Sequence, residues 1–136
     1  MEPILVDTSV WIDWFTNRDT PQTRLLQRYL LNGDAVLITP TILQEILQGI
    51  REDNRYGEVK ESLLALTLLR VDPVEAAIGA ADLYRSLRKK GVTIRKANDC
   101  LIAFYAIRHN VSLLHADADF NQMATQSALR CLPALL

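Results

Sequence analysis

The sequence predicts an α/β protein built on a parallel sheet whose two faces are both covered by helices. Short apolar stretches typical of buried strands alternate with longer amphipathic stretches typical of helices along the chain. The chain has 136 residues, of which 49% are hydrophobic and 23% are charged, a balance usual for one globular domain. We therefore expect a single domain spanning residues 1–136.

The first half of the chain predicts two strands and four helices. The run "PILVD" is short and apolar, as a buried strand is, and "TSVWIDWF" after it has apolar residues at helical spacing. A second helix covers "TPQTRLLQRYLLNG", with Thr20 as its cap, Pro21 at its first position and Gly33 at its end. The next strand is "AVLITP", followed by the helix "TILQEILQGI" and by a helical segment from about Asp53 to Thr67.

The second half predicts three strands and three helices. "LLRVD" is a strand, and the long helix "PVEAAIGAADLYRSLRKKG" begins at Pro73 and ends at Gly91. The helix "KANDCLIAFYAIRHN" and the strand "VSLLHAD" follow, then a short helix from about Phe120 to Thr125 and a last edge strand, "LRCL". In a parallel sheet of this kind, ligands bind at the edge formed by the carboxyl ends of the strands.

Composition narrows the class of protein. No apolar run approaches the roughly 20 residues of a membrane helix, and no export signal is visible, so we expect a cytoplasmic protein. Cys100 and Cys131 lie far apart in apolar surroundings, which favours buried free thiols over a disulfide or a metal site. The formal net charge of −1 neither indicates nor excludes a nucleic-acid partner.

Two acids stand at the ends of predicted strands. Asp7 ends the run "ILV", and Asp117 ends the run "VSLLHA". A buried strand offers no water to solvate a carboxylate, so each acid lies at the open end of its strand or holds a cation there. The alternative for each acid is that it caps the following helix by accepting hydrogen bonds from free N–H groups.

Two further acids fall on predicted helices. Asp99 shares a helix face with Ala103 and Ala106, so its carboxylate is either a ligand facing the core or a partner of the helix dipole. Asn98 beside it positions water or substrate, or makes only a local hydrogen bond. Glu45 lies at the margin of its helix's apolar face, where it either reaches a neighbouring strand end or is solvated.

Taken together, the four acids predict a metal site. No lysine or arginine stands within the short motifs that contain them, and converging carboxylates repel one another unless a cation is present. Carboxylate oxygens suit Mg²⁺ or Mn²⁺, whereas zinc prefers cysteine or histidine. The two histidines, His109 and His115, do not have zinc-ligand spacing. We therefore expect Mg²⁺ or Mn²⁺.

Four motifs in order carry a family resemblance. They are "ILVDTSVWID", "TPTILQEILQGI", "RKKGVTIRKANDCLIAFYA" and "LLHADADF", and they span nearly the whole chain. In this order and spacing they resemble the PIN-domain ribonucleases, most closely the VapC toxins of bacterial and archaeal toxin–antitoxin pairs. The resemblance implies a three-layer α/β/α domain with a central, mainly parallel sheet. It also implies an acidic Mg²⁺ or Mn²⁺ site and toxic endonuclease cleavage of RNA, namely a tRNA or an rRNA.

The resemblance also assigns roles residue by residue. Its four catalytic acids correspond to Asp7, Glu45, Asp99 and Asp117. The three aspartates are expected to bind the metal, and Glu45 to act through water. Asp119 in the last motif is expected either to be a further metal ligand or to help through water or by contacting the ligands. Thr8 and Ser9 match small polar residues whose hydroxyls orient a ligand or water, or merely begin a helix.

One position departs from the family pattern. Family members often carry Thr or Ser two positions before the fourth acid, and this chain carries His115 there. A short hydroxyl would hydrogen-bond near the site, so the replacement bears on the contacts around the ligands and on pH dependence. The alternative is a strand-end histidine with a satisfied hydrogen bond. His109, near a helix C-terminus, is expected to be structural.

Substrate contacts are expected from the basic tract "RSLRKKGVTIRK". Its cations either meet RNA phosphates or form a solvated helix end that complements the dipole. The candidates are Arg85, Arg88, Lys89, Lys90, Arg95 and Lys96.

Partners follow from the same resemblance. Similar toxins pair as homodimers and are held inactive by a small antitoxin, which implies a homodimer, a cognate VapB-like antitoxin, larger toxin–antitoxin complexes and no membrane. Trp11, Trp14 and Phe15 are either an aromatic surface for that antitoxin or part of the core. Two alternatives remain at this point, a housekeeping PIN nuclease and a non-catalytic PIN module that binds RNA or protein. The presence of all four acids favours the enzyme.

Overall fold

The centre of the molecule is a sheet of four short parallel strands, seen in a computed structural model that describes residues 1–132. The strands are β1 (Ile4–Val6), β2 (Val36–Ile38), β3 (Thr67–Leu68) and β4 (Ser112–Leu114). Every residue of β1 and β2 is buried, as expected when helices cover both faces of a parallel sheet. The last four residues of the predicted domain lie outside the described residues.

Seven helices within residues 1–132 flank this sheet and complete a three-layer α/β/α arrangement. They are α1 (Thr8–Phe15), α2 (Pro21–Asn32), α3 (Pro40–Gln48), α4 (Asp53–Leu64), α5 (Pro73–Lys89), α6 (Ala97–Arg108) and α7 (Ala118–Thr125). Between residues 1 and 132, none of these helices combines the length and apolar character that crossing a membrane requires. The predicted fold class is confirmed.

Helix boundaries follow the capping residues that the sequence offers. Helix α2 begins after Thr20, whose hydroxyl accepts from the Thr23 N–H at 3.0 Å, and Pro21 takes the first helical position. It ends at Gly33, whose φ of 72° is a left-handed conformation that costs glycine little. The predicted bounds of this helix are therefore confirmed.

Two strand predictions need correction. The third strand was expected over "LLRVD", but β3 begins at Thr67, earlier than expected, because α4 ends at Leu64. Its partner β2 ends at Ile38 and α3 begins at Pro40, so a longer β3 would have no strand to pair with. The expected last strand "LRCL" is only an isolated parallel bridge of Cys131 to Leu113.

The strand order places one crevice at the middle of the sheet. The order is β3-β2-β1-β4, so the chain builds outward from β1 on one side and then returns to the other side with β4. In parallel α/β sheets, the crevice at such a reversal, outside the carboxyl ends of the strands, is where ligands bind. Here that crevice lies between the ends of β1 and β4, directly before Asp7 and His115.

Candidate functional site

Both strand-end acids cap helices, and both lie at this crevice. Asp7 is buried and caps α1, with its Oδ2 accepting from the Ser9 N–H at 3.0 Å. Asp117 caps α7, with its Oδ1 accepting from the Asp119 N–H at 3.0 Å. The capping interpretation is therefore correct for both, and capping fixes where each carboxylate points.

Ser9 links the first acid, Asp7, to the loop that carries Asp117. Its hydroxyl donates to Asp7 Oδ2 at 2.6 Å and accepts from the Ala116 N–H at 3.0 Å. The loop before α7 is thus tied to the first turn of α1. Ser9 was predicted to orient a ligand or water, and in the structure it orients Asp7.

Replacing Ser9 with alanine should loosen this link. The Ser9→Ala variant leaves the Ala116 N–H without its acceptor and removes one bond from Asp7, so we expect a loss of about 1–2 kcal/mol in the free energy of unfolding. Chemical denaturation measures it. The control is Ser62→Ala, which removes an exposed hydroxyl that donates to the Glu58 carbonyl within α4 and should change stability by less than about 0.5 kcal/mol. Equal losses in the two variants would contradict the proposed link.

A second hydroxyl positions the helix-margin acid. Thr8 Oγ1 donates to Glu45 Oε1 at 2.8 Å and so joins the first turn of α1 to the middle of α3. Both side chains are half-buried. The contact turns Glu45 toward the α1 terminus, the direction in which the sequence argument expected it to reach.

Of the five acids at the site, Asp99 has the carboxylate in the least favourable surroundings. It stands in the first turn of α6 with 5% of its surface exposed, and its Oδ2 has no hydrogen-bond partner among residues 1–132. The pKa of Asp99 is raised to about 6, chiefly by burial; the charge of Lys96 opposes this rise, and the charges of Asp7, Asp117 and Glu45 add to it. An unpartnered carboxylate oxygen buried among acids is a position that a cation would stabilise.

Three carboxylates meet at this point. One oxygen each from Asp99, Asp117 and Asp119 lies within 4.8 Å of the others, close enough to share a single ion. All-oxygen ligands of this kind fit Mg²⁺ or Mn²⁺. Asp119 was expected to be either a further metal ligand or a helper through water, and the structure places it in this group, which we call the carboxylate cluster. Asp7 and Glu45 contribute charge to its surroundings through their effect on Asp99.

The raised pKa of Asp99 makes the stability of the metal-free chain depend on pH. Since the folded pKa lies above the ordinary 3.8, its contribution to stability is complete below pH 3.8 and is lost as the pH rises through 6. We expect Asp99→Asn to melt about 3–6 °C above wild type at pH 7.5 in EDTA, and to lose most of that advantage at pH 4.5. Thermal unfolding at both pH values measures this difference. The exposed acid at the start of α4 supplies the control, Asp53→Asn, whose difference from wild type should not grow with pH. An Asp99→Asn advantage that is equal at both pH values would contradict the burial of this charge.

Two cations pair with the carboxylate cluster. Arg95 donates from Nε and Nη2 to the two oxygens of Asp119 at 3.2 and 3.3 Å, and Lys96 Nζ lies 3.3 Å from Asp117 Oδ2. The pKa of Asp117 is lowered first by the Asp119 N–H and also by Lys96. The expectation that no lysine or arginine neutralises these acids was wrong, because Arg95 and Lys96, in the loop just before Asp99, pair with the acids of the last motif.

His115, the residue that departs from the family pattern, is buried and makes a local hydrogen bond. Its Nδ1 accepts from the Asp117 N–H at 3.2 Å, and its ring packs against Phe120 with centroids 5.3 Å apart. Burial lowers the pKa of His115, which favours the neutral ring that this acceptor role requires. The alternative of a satisfied strand-end histidine is therefore confirmed.

Asn98 is exposed in the first turn of α6.

The first four cations of the basic tract lie at the exposed C-terminal end of α5. Arg88 lies over the Tyr84 ring, 5.6 Å from its centroid, and Lys90 Nζ donates to the Gln126 carbonyl at 2.9 Å. Arg85 and Lys89 are exposed beside them. The predicted basic tract therefore splits in the structure, because its last two cations face the carboxylate cluster whereas the first four face solvent.

The three aromatic residues of α1 divide between the core and a surface cavity. Trp11 is 3% exposed and stacks on Phe15 at 5.7 Å, as the core interpretation expected. Trp14 and Phe15 are half-buried and line a cavity of about 520 Å³. Three arginines share that lining, namely Arg18, Arg24 and Arg55.

His109, at the end of α6, lies 3.1 Å from the Arg70 carbonyl oxygen, which accords with its expected structural role.

Comparison with known proteins gives consistent matches over most of the chain. The PIN-domain family model matches residues 4–126. The chain is 40% identical over 124 residues to VapC ribonuclease Mb1587 of Mycobacterium bovis, covering 89% of this chain and 91% of that protein. Ribonuclease VapC1 of Methanocaldococcus jannaschii is 33% identical over 110 residues, covering 81% of this chain and 72% of that protein.

Solved structures match the fold at lower identity. DNA-bound VapBC from Salmonella typhimurium has a TM-score of 0.76 and 21% identity, covering 98% of this chain and 99% of that chain. VapBC-1 from nontypeable Haemophilus influenzae has a TM-score of 0.74 and 19% identity, covering 97% of this chain and 98% of that chain. These matches show that the two structures share the fold described above.

Proposed function

The chain belongs to the PIN-domain family and, within it, to the VapC ribonucleases, and from this premise we propose that it is a metal-dependent endoribonuclease acting as a toxin. The observation that carries the metal dependence is the buried Asp99 Oδ2, which lacks a partner within the described part of the chain and lies in a cluster of three carboxylates. The proposed cofactor is Mg²⁺ or Mn²⁺, because the ligands are all carboxylates. The proposed substrate is RNA, a tRNA or an rRNA.

Each acid has a proposed part in the reaction. Asp99, Asp117 and Asp119, the last fixed by Arg95, would hold the cation, and Asp7 would assist them from beside the cluster. Glu45, positioned by Thr8, accepts a hydrogen bond from the attacking water. When bound, the cation favours ionisation of that water and withdraws charge from the phosphoryl oxygens. Attack by water leaves a 5′-phosphate and a 3′-hydroxyl.

Substrate binding is assigned to the basic tract. The exposed cations of α5 lie in sequence directly before Arg95 and Lys96, so one strand of RNA can meet both groups through its phosphates. These cations are Arg85, Arg88 and Lys89 in the last turns of α5 and Lys90 at its C-cap. Because these contacts are to the backbone, they contribute affinity rather than base specificity.

Partners are proposed from the relatives and from the α1 surface. The related solved structures are VapBC assemblies, so we propose a cognate VapB-like antitoxin, a homodimer of this chain and larger complexes of the two. The cavity beside Trp14 and Phe15 combines aromatic surface with arginines and is the proposed seat of an antitoxin segment.

Incubation of the purified, antitoxin-free protein with pooled cellular RNA tests the proposed function. We expect discrete fragments with 5′-phosphate ends in Mg²⁺ or Mn²⁺ and none in EDTA. Sequencing of the fragment ends identifies the RNA and the cleaved site. Folded protein that binds RNA without cutting it under any of these conditions would instead indicate a non-catalytic module.

A further inference from the structure

Lys96 lies where it interacts with several acids at once. Its Nζ is 3.3 Å from Asp117 Oδ2, and the charges of Asp99 and Asp7 also act on it. In return, its charge lowers the pKa of Asp99 more than any other group does. The Lys96 ammonium therefore supplies positive charge to the carboxylate cluster in the metal-free chain.

The two cations of the cluster are held differently. Arg95 grips Asp119 through two parallel hydrogen bonds, a geometry that fixes both side chains. Lys96 makes one contact with Asp117 through a flexible four-carbon stem, and 61% of its side chain is exposed. Of the two, Lys96 is the one free to move without breaking a bidentate pair.

A divalent cation and the Lys96 ammonium compete for the same carboxylate. A metal ion bound to an oxygen of Asp117 would repel the ammonium 3.3 Å from that carboxylate and would favour a Lys96 side chain turned outward. The group it can then meet at the rim of the site is a phosphate of bound RNA, for which lysine is a common point-charge partner.

We propose that Lys96 exchanges partners, neutralising Asp117 in the metal-free chain and binding a substrate phosphate once a divalent cation occupies the carboxylate cluster. This inference rests on the proposed function, its first half on the proposed metal site and its second half on the proposed RNA substrate. The first half concerns the metal and the chain alone. Together the two halves give Lys96 two effects of opposite sign, because it weakens metal binding and strengthens substrate binding.

Titration of the full chain with Mn²⁺ by calorimetry tests the first half. We expect Lys96→Met to bind Mn²⁺ about tenfold more tightly than wild type, because the competing charge is gone. Lys96→Gln, which keeps a polar side chain at this position, should show the same gain. The matched control is Lys60→Met, which removes a lysine that lies over the Tyr56 ring on α4, and it should leave Mn²⁺ affinity unchanged. Unchanged or weaker Mn²⁺ binding by both Lys96 variants would overturn the exchange.

The second half is tested by cleavage kinetics on an RNA chosen from the fragment sequencing described under the proposed function. We expect Lys96→Met to raise KM for the RNA at least fivefold at saturating Mn²⁺ while kcat changes less. The variant would thus bind RNA more weakly although it binds Mn²⁺ more tightly. An unchanged KM would overturn the transfer to phosphate. The Mn²⁺ titration needs no substrate, so it still decides the first half if wild type cleaves no RNA.

Discussion

Asp99→Asn is expected to reduce RNA cleavage by at least about 1,000-fold, the largest effect that the structure predicts. The substitution keeps the size of the side chain but removes the charge of the one carboxylate with a buried oxygen that lacks a partner between residues 1 and 132. A neutral amide is a weak ligand for Mg²⁺ or Mn²⁺, so the carboxylate cluster would lose its cation. Initial rates on a defined RNA in Mg²⁺ measure this loss.

The control for this variant is Asp53→Asn, which removes one carboxylate from the exposed start of α4 and should keep wild-type rates. Because Asp99→Asn is expected to be at least as stable as wild type at neutral pH, unfolding cannot account for its inactivity. Cleavage by Asp99→Asn at a rate within tenfold of wild type would show that the cluster is not the site of reaction.

Gly79→Ala is expected to lower the free energy of unfolding by about 1–3 kcal/mol, the largest effect on stability. A methyl group on Gly79 would overlap the ring of Phe104, which packs α6 against α5. Either the ring or the helix has to shift, and α6 carries Asp99. Urea denaturation at constant pH measures the change.

A second helical glycine provides the matched control. Gly57 in α4 has no atom within 4 Å of an added methyl group among the described residues, so Gly57→Ala should raise stability by about 0.5–1 kcal/mol through helix propensity. The same substitution is thus expected to act with opposite sign at the two positions. Destabilisation of equal size at both would mean that contact with Phe104 is not the cause.

Local signals in the sequence predict most of the fold. Apolar runs give β1, β2 and β4 to within a few residues, and the Thr20, Pro21 and Gly33 signals give the bounds of α2. The third strand was misplaced because its length depends on pairing with β2, which is a contact between distant parts of the chain. The "LRCL" segment has strand-like residues, yet it makes only one bridge, to Leu113.

The sequence predicts which acids form the candidate site, but it does not predict the contacts that these acids make. The burial of Asp99 follows from helical spacing against Ala103 and Ala106. The pairing of Lys96 with Asp117 crosses 21 positions and joins the N-caps of α6 and α7, a contact that no local pattern reports. The same holds for the bond from the Ala116 N–H to Ser9, 107 positions away, which depends on β4 returning beside β1.

Diffraction from crystals of the protein soaked in Mn²⁺ tests the central claim most directly. The anomalous signal of manganese locates the ion without reference to activity. The account predicts a peak at the carboxylate cluster, roughly 2.0–2.3 Å from oxygens of Asp99 and Asp117, and its disappearance in Asp99→Asn crystals. A peak elsewhere on the protein, or one that persists in the variant, would contradict the assignment of this site.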